Sequence, residues 1–327
     1  RDGPRMPTKQ TFRCPRCGDV FTSGVEPGQK IRCICGHRFV LSADHLGRSN
    51  GEDTTAEANR SPLPSAHEDT HVGTVIAGCR VIRRIGLGDT GAVYLGRRLD
   101  TREEVAVKIL FPGHAAQDDY RARFLREGRV ARELTHPNIV RVHDVGSAGG
   151  VSYMVMEYMP GGSVARRLAR TRRLSVDEVL RIGRDMCRAL SGAAAAGIVH
   201  RDIKPENIMI AQDGTYKLAD LGLARRLGPP QGGTVTTVAV GMGTPLYMPP
   251  EQAADARAVD HRADLYALGA TLFHLLAGRP PYRANNMIAV LHKHAHEPVP
   301  SLTRFNRAAP RELERVLARS MAKDPAD

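Results

Sequence analysis

The sequence predicts an α+β fold of two lobes, in which a small lobe of strands precedes a larger lobe of helices. Short β-branched runs at residues 81–85 and 93–95 are typical of strands. Further along, apolar residues recur at helical spacing over residues 176–190, and residues 265–276 are apolar nearly all round. A helix with apolar residues on every side belongs in a core. The later helices are therefore expected to pack around it.

Length and charge limit the class of protein. The chain has 327 residues, 42% of them hydrophobic, and a net charge of +12, which suggests about two domains. No apolar run approaches the roughly 18 residues of a membrane helix, and no signal peptide is recognisable. We therefore expect a cytoplasmic segment without membrane contact. Because the arginines are scattered through predicted helices and loops, we expect no nucleic-acid partner.

The first residues carry the spacing of a zinc ribbon. Four of the six cysteines lie here, at Cys14, Cys17, Cys33 and Cys35. Glycine follows each pair, and residues 10–42 contain too few large apolar side chains to fold without a metal. We predict a zinc-ribbon-like domain with Zn²⁺ bound by these thiolates. Since the second pair has one intervening residue, His37 is an alternative ligand, and a redox pair or a segment without metal stays open.

The middle and end of the chain complete the domain plan. Residues 43–72 are rich in small, polar and acidic residues and predict a disordered linker. Residues 73–327 then form the main domain. The chain begins without Met and stops at Asp327, so we expect a piece of a longer protein with the end of this domain truncated. A membrane anchor beyond residue 327 stays open.

Several Cys and His residues of the main domain are interpreted as structural. Cys79 and Cys187 fall in a predicted strand and helix and are expected to be small buried hydrophobes. His292, His294 and His296 alternate without a nearby acidic or Cys residue. We expect them on a surface helix and not in a metal site.

A glycine-rich pattern, G-x-G-x-x-G-x-V, lies between the first two predicted strands. It follows Ile85 and consists of Gly86, Gly88, Gly91 and Val93. A dinucleotide-binding fingerprint would open into a helix, whereas a strand follows here. Glycines allow backbone N–H groups to approach phosphate closely. Alone, the pattern fits an ordinary hairpin equally well.

A lysine and a glutamate follow in suitable elements. Lys108 ends a Val-Ala-Val-Lys strand that contains Ala106, and Glu127 shares the apolar stripe of a predicted helix with Phe124 and Ala131. A carboxylate on that stripe needs a cation, and Lys108 is the expected partner. Taken singly, each charged residue also fits a solvated surface position.

The densest polar cluster lies at residues 200–222. Asp202, Lys204 and Asn207 follow His200 closely, and Asp220 comes after a short predicted strand. Phosphoryl transfer needs a carboxylate to orient the attacking hydroxyl, a cation for the γ-phosphate and oxygen ligands for magnesium. These side chains supply all of those groups.

In this order, the motifs resemble those of bacterial, eukaryotic-like serine/threonine protein kinases across residues 73–327. Further matches are His136-Pro137-Asn138, residues 156–159 as a hinge, Gly243-Thr244 and residues 249–252. The resemblance implies the bilobal protein-kinase fold with Mg-ATP between the lobes. The residues it places around ATP are Ile85, Gly86, Gly88, Gly91, Val93, Ala106, Lys108, Met156, Glu157 and Met159.

The resemblance also implies catalytic roles. Asp202 would accept the proton of a protein Ser or Thr hydroxyl, and Lys204 would steady the γ-phosphate. Lys108, paired with Glu127, would hold the α- and β-phosphates. Asn207 and Asp220 would bind Mg²⁺.

The segment between Asp220 and Glu251 resembles an activation loop. Its candidate phosphorylation sites are Thr234, Thr236 and Thr237. Phosphate there would pair with Arg201 and order the loop. The resemblance implies autophosphorylation, in which a second copy of the chain is a partner.

Some positions depart from the family pattern. Leu221 replaces the usual phenylalanine, and Ala131 stands where a larger apolar side chain is common, which would loosen the helix that carries Glu127. A nucleotide-binding scaffold without turnover is the alternative function, and a nucleic-acid-binding protein is a third. Intact Lys108, Asp202 and Asp220 argue against the scaffold, and the lack of an aromatic-basic cluster argues against the third.

Overall fold

The computed structural model describes residues 10–13, 20–23, 30–32, 38–40, 71–88, 90–115, 118–220, 225–226, 245–255 and 259–326. The strands before residue 41 and residues 225–226 are described by their backbone alone. Residues 43–70 of the predicted linker lie outside the described residues. None of the helices in the described ranges is long and apolar enough to cross a bilayer.

Two short hairpins occupy the N-terminal segment. β1 (Gln10–Arg13) pairs antiparallel with β2 (Val20–Ser23), and β3 (Lys30–Arg32) pairs antiparallel with β4 (Arg38–Val40). The predicted zinc ligands Cys14, Cys17, Cys33, Cys35 and His37 fall outside the described residues. By sequence, the first two belong to the first hairpin connection and the other three to the second.

The small lobe is built on one antiparallel sheet of six strands, in the order β5-β6-β7-β8-β10-β9. Its elements, in chain order, are β5 (Val75–Ile76), β6 (Cys79–Leu87), β7 (Gly91–Arg98), β8 (Glu104–Leu110), α1 (Pro112–Ala115), α2 (Asp118–Glu133), β9 (Val142–Ala148) and β10 (Val151–Glu157). In β8 the side chains alternate, so that Val105, Val107 and Ile109 join one apolar cluster while Lys108 lies on the opposite face. This confirms the predicted strand-turn-strand arrangement of the glycine-rich segment.

The large lobe is mainly helical. Its elements are α3 (Val164–Thr171), α4 (Val176–Ala195), β11 (Ile198–Val199), β12 (Ile208–Ile210), β13 (Tyr216–Leu218), β14 (Arg225–Arg226), α5 (Pro250–Ala254), α6 (His261–Ala277), α7 (Met287–His296) and α8 (Arg311–Ser320). β11 pairs with β14, and β12 pairs with β13. The two short sheets bring residues 200–207 and Asp220 to one side of this lobe.

Polar caps define the helix ends. The side chains of Ser163, Ser175, Asp260 and Asn286 accept backbone N–H groups at the starts of α3, α4, α6 and α7. Helix α6 ends at Gly278, which has a φ of 71° and donates its N–H to the His274 carbonyl at 2.8 Å. The left-handed conformation explains the glycine at this position.

Helix α6 is the centre of the large lobe, as predicted. Phe273, Leu275 and Leu276 are fully buried in its main apolar cluster. A Cβ at Gly269 would overlap the side chain of Ser320, so α8 packs very closely against α6. However, Leu265 is 41% exposed, because it lies on the side of the helix opposite the buried Ala263 and Asp264 and faces the surface.

Two of the predictions about single residues were wrong. Cys187 is exposed, since it lies on the outer face of α4. His294 is fully buried and not on the surface, because Tyr266 and Tyr282 pack against its ring and the Tyr266 hydroxyl lies 2.9 Å from its Nδ1.

Candidate active site

Strand register places the glycine-rich turn, the lysine and the hinge on one face of the sheet. Lys108 lies opposite Val93 on one side and Met154 on the other, while Ala106 lies opposite Met156. Opposed residues in antiparallel strands share a face. These positions therefore lie on the face of the sheet opposite the apolar cluster of the small lobe.

The three glycines of the turn differ in what an added side chain would meet. A Cβ at Gly91 would overlap the Ile109 carbonyl, so the close approach of β7 to β8 requires glycine. At Gly86 and Gly88 the nearest atoms to a Cβ are 3.8 and 3.6 Å away. The fold therefore leaves open space at these two positions. A ligand that contacts the protein backbone here would need that space.

A buried carboxylate anchors residues 200–202. The backbone N–H groups of His200 and Arg201 donate to the two carboxylate oxygens of Asp264, each at 2.8 Å. Arg201 has a φ of 69°, a strained conformation that the two bonds hold in place. Burial raises the pKa of Asp264, while the charge of His200 and the two N–H groups act in the opposite direction.

Asp202, Lys204 and Asn207 converge on one point. Lys204 Nζ lies 2.7 Å from Asp202 Oδ2, and the Asn207 amide donates to the same oxygen at 3.0 Å and to the Asp202 carbonyl at 2.8 Å. Because the Asn207 nitrogen is committed as a donor, its side-chain oxygen remains available as a ligand. The sequence-predicted cluster is therefore assembled around the Asp202 carboxylate.

Asp220 is tied to this cluster through the backbone. Ala219 donates its N–H to the Asn207 carbonyl at 2.8 Å, and the His200 ring lies 3.1 Å from the Ala219 carbonyl. Asp220 itself has a φ of 61°, unusual for a residue with a side chain. This turn directs its carboxylate to Lys108 Nζ, at 2.8 Å.

The electrostatics of Asp220 suit a cation ligand. Desolvation acts to raise its pKa, but the charge and hydrogen bond of Lys108, together with the charges of His200 and Lys204, hold the pKa below its usual value. The carboxyl group is therefore ionised near neutral pH. Its side chain is 48% exposed, so it is accessible from solvent.

The predicted ion pair between Lys108 and Glu127 is wrong for this structure. Glu127 instead pairs with Arg123, one turn earlier in α2, at 2.8 Å. Lys108 has taken Asp220 as its partner, and Arg123 supplies the cation that the largely buried Glu127 requires. Burial raises the pKa of Glu127 to about 7, although the Arg123 hydrogen bond opposes this.

The hinge residues lie at the end of β10 and just beyond it. Met156 is half-buried and Met159 is buried. The Glu157 side chain forms an ion pair with Lys217 of β13 at 2.6 Å, and its N–H donates to the Arg141 carbonyl at 2.9 Å. Glu157 therefore links the hinge to the large lobe.

Sequence reasoning assigned no role to two residues that position the site. Gly128 allows α2 to approach the sheet, since a Cβ there would lie 2.5 Å from Val145 Cγ2 and 2.9 Å from Met154 Cε. Asp264 holds the loop that carries Asp202. The signal for Asp264 was a carboxylate in the first turn of an otherwise apolar helix, which is costly unless it is hydrogen-bonded.

Comparison with known proteins identifies the family. The family model described as "Protein kinase domain" matches residues 79–327. The chain belongs to the protein kinase family. The kinase fold predicted from the sequence is also supported by the crystal structure of the Mycobacterium tuberculosis PknI kinase domain, with a TM-score of 0.60, 35% identity, and coverage of 78% of this chain and 92% of that one.

The relatives of this kinase include bacterial serine/threonine kinases. Serine/threonine-protein kinase PrkC of Bacillus subtilis is 36% identical over 255 residues, covering 78% of this chain and 39% of PrkC. PknB of Mycolicibacterium smegmatis is 38% identical over 246 residues, covering 74% of this chain and 39% of PknB. The predicted enzyme class, a protein serine/threonine kinase, is confirmed. The chain spans about two-fifths of the length of these relatives.

The raised pKa of Glu127 predicts a pH-dependent stability. Unfolding returns this carboxyl group to its ordinary pKa, so the folded kinase holds the proton more tightly. The contribution to the free energy of unfolding is present at about pH 4 and is lost as pH rises through about 7, with an upper limit of about 3 kcal/mol. Glu127→Gln should abolish this loss, as measured by urea unfolding in EDTA at several pH values.

The control is Asp119→Asn, which changes an exposed carboxylate on the same helix. Its stability should follow that of the wild type at every pH. An equal pH dependence in the wild type and Glu127→Gln would contradict the prediction.

Proposed function

We propose that this chain transfers the γ-phosphate of Mg-ATP to Ser or Thr hydroxyls of proteins, itself included. The observation that carries the proposal is the convergence of Lys204 and Asn207 on the Asp202 carboxylate, on a loop anchored by Asp264. Such a cluster supplies a base and a phosphate-binding cation at one point. The class of its relatives supports Ser and Thr as acceptors.

Asp202 orients the acceptor hydroxyl and receives its proton during transfer. Its Oδ2 oxygen accepts from both Lys204 and Asn207, which keeps the carboxylate in one rotamer. Lys204, at 2.7 Å from that oxygen, is close enough to contact the transferred phosphoryl group as well. Its positive charge offsets the repulsion between the Asp202 carboxylate and the negatively charged phosphoryl oxygens.

The residues at the site fit magnesium. Mg²⁺ prefers oxygen ligands, and the Asn207 side-chain oxygen together with the ionised Asp220 carboxylate provides them. When bound with ATP, the ion neutralises phosphate charge. Lys108, which is paired with Asp220 in this structure, binds the α- and β-phosphates.

ATP occupies the face of the sheet that carries Lys108. Ile85, Val93 and Ala106 cover the base and sugar, while Gly86, Gly88 and Gly91 adjoin the phosphates. Met156 limits the depth of the cleft, and the backbone near Glu157 and Met159 meets the adenine. The register that brings Val93, Lys108 and Met156 to one face supports this placement.

Replacing the proposed base separates catalysis from nucleotide binding. Asp202→Ala should lower kcat at least about 10²-fold, because a general base acts in the transition state. The Kd for Mg-ATP should change little. Asp177→Asn, an exposed carboxylate at the start of α4, is the control and should retain full activity.

The measurements are phosphate transfer to a generic protein substrate and calorimetric titration with Mg-ATP. A protein that binds Mg-ATP but labels nothing, whether or not Asp202 is intact, would establish the nucleotide-binding scaffold instead.

We propose that Thr236 or Thr237, and less often Thr234, are phosphorylated by a second copy of the chain. These threonines lie outside the described residues, and the proposal rests on their place in the sequence between Asp220 and Glu251 and on Arg201, which directly precedes Asp202. A guanidinium group can bind phosphate in a bidentate geometry. Mass mapping after incubation with Mg-ATP should find phosphate there and none in Asp202→Ala. Full activity in the triple alanine variant would contradict a regulatory role.

We also propose one structural zinc ion in residues 10–42. The cysteine pairs belong by sequence to the connections of two hairpins, β1–β2 and β3–β4, the arrangement in which paired thiolates meet one metal. Elemental analysis should find one zinc per chain, and Cys33→Ser should lose it without loss of kinase activity. Cys187→Ser, in the exposed Cys of α4, is the control and should keep the metal. Zinc-free wild-type protein with a folded N-terminal segment would contradict the proposal.

A further inference from the structure

A second cleft lies apart from the proposed catalytic residues. It has a volume of about 460 Å³ and lies between α4, the turn of the β12–β13 hairpin and the segment that precedes β9. None of the residues proposed to bind ATP, magnesium or the acceptor hydroxyl lines it. We call it the α4 cleft.

Three arginines of one helix line the α4 cleft. Arg181, Arg184 and Arg188 are separated by three and four residues, so their side chains lie along one face of α4. The side chains of Arg184 and Arg188 are 60% and 61% exposed. Arg181 is also exposed and forms no ion pair with any described residue. Their guanidinium groups are therefore accessible to a partner.

The carboxylates of the cleft are already committed within the protein. Asp185 is 6% exposed and accepts the N–H of Tyr216 at 3.3 Å, while Arg184 and Arg188 lie 3.4 and 3.9 Å from its Oδ1. Asp213 accepts the N–H of Thr215 at 2.9 Å and so stabilises the hairpin turn. Both acidic groups stabilise the structure around the cleft. With three arginines against two carboxylates, the cleft keeps a net positive charge.

We propose that the α4 cleft docks a carboxylate-rich segment of the protein substrate, and this rests on the proposed kinase function. Arg181 and Arg188 are seven residues apart, about 10 Å along the helix. That spread matches several carboxylates along an extended segment better than a single phosphate. Arginine binds carboxylates in a bidentate geometry, and the net charge of +12 attracts acidic proteins.

The docking interaction predicts a difference between two substrates. Both would carry the same phosphoacceptor sequence and Gly-Ser linker, one ending in a run of Glu and the other in a run of Gln. The wild-type chain should show a lower KM for the Glu substrate at equal kcat. In Arg181→Glu/Arg188→Glu, this preference should fall about tenfold, because charge reversal replaces attraction with repulsion.

The matched control reverses two exposed arginines on α8, in Arg311→Glu/Arg319→Glu. It changes the net charge equally and should keep the preference. Fluorescence anisotropy of the labelled Glu tail, without ATP, should give the same ranking of the variants. This binding measurement stays informative if no phosphate transfer is found, so failure of docking and failure of the kinase function are distinguishable.

Three outcomes would overturn the proposal. One is equal binding of the Glu and Gln tails to the wild-type chain. Another is an equal loss of binding in the α8 control, which would assign the effect to net charge. Tighter binding of a singly phosphorylated tail than of the Glu tail would assign the cleft to phosphate. If the double variant has a lowered Tm, Arg181→Gln gives the same test with less perturbation.

Discussion

The buried carboxylate of Asp264 is the constraint on which the catalytic geometry depends. Burying a charged group is costly, and here two backbone N–H groups offset the cost. Those N–H groups belong to His200 and Arg201, so the same bonds that make Asp264 tolerable also hold the strained loop before Asp202. Since α6 is packed into the core on nearly all sides, Asp264 anchors the loop to a buried helix of the large lobe.

Two ion pairs determine how the charged side chains around Lys108 are arranged. Lys108 is bound to Asp220, and Glu127 is bound to Arg123, so each carboxylate has one cation. A pair between Lys108 and Glu127 would require Lys108 to release Asp220 and Arg123 to release Glu127. Gly128 lets α2 pack directly on the sheet. The small side chain of Ala131 lines a narrow cavity beside the helix.

The sequence predicted what local patterns encode. Residues 200–207 and 86–93 are contiguous motifs, and their strands, turns and clustered side chains were predicted with their positions. The partner of Lys108 was not, because Asp220 lies 112 residues away and two cations and two carboxylates could pair in more than one way. His294 shows the same limit, since its burial depends on Tyr266 and Tyr282, which come from elsewhere in the chain.

Strand β13 connects the α4 cleft to Asp220, the proposed magnesium ligand, and this strand is held firmly in place. The Tyr216 N–H is held by Asp185, and the Tyr216 carbonyl accepts the Asn138 amide at 3.0 Å. Two residues on, the Leu218 N–H donates to the Asn138 carbonyl at 2.8 Å. With β12 paired on its other edge, this strand has no free hydrogen-bonding side on which to shift. A segment docked in the cleft should therefore raise the local concentration of the acceptor without altering the position of Asp220, so its effect belongs in KM and not in kcat.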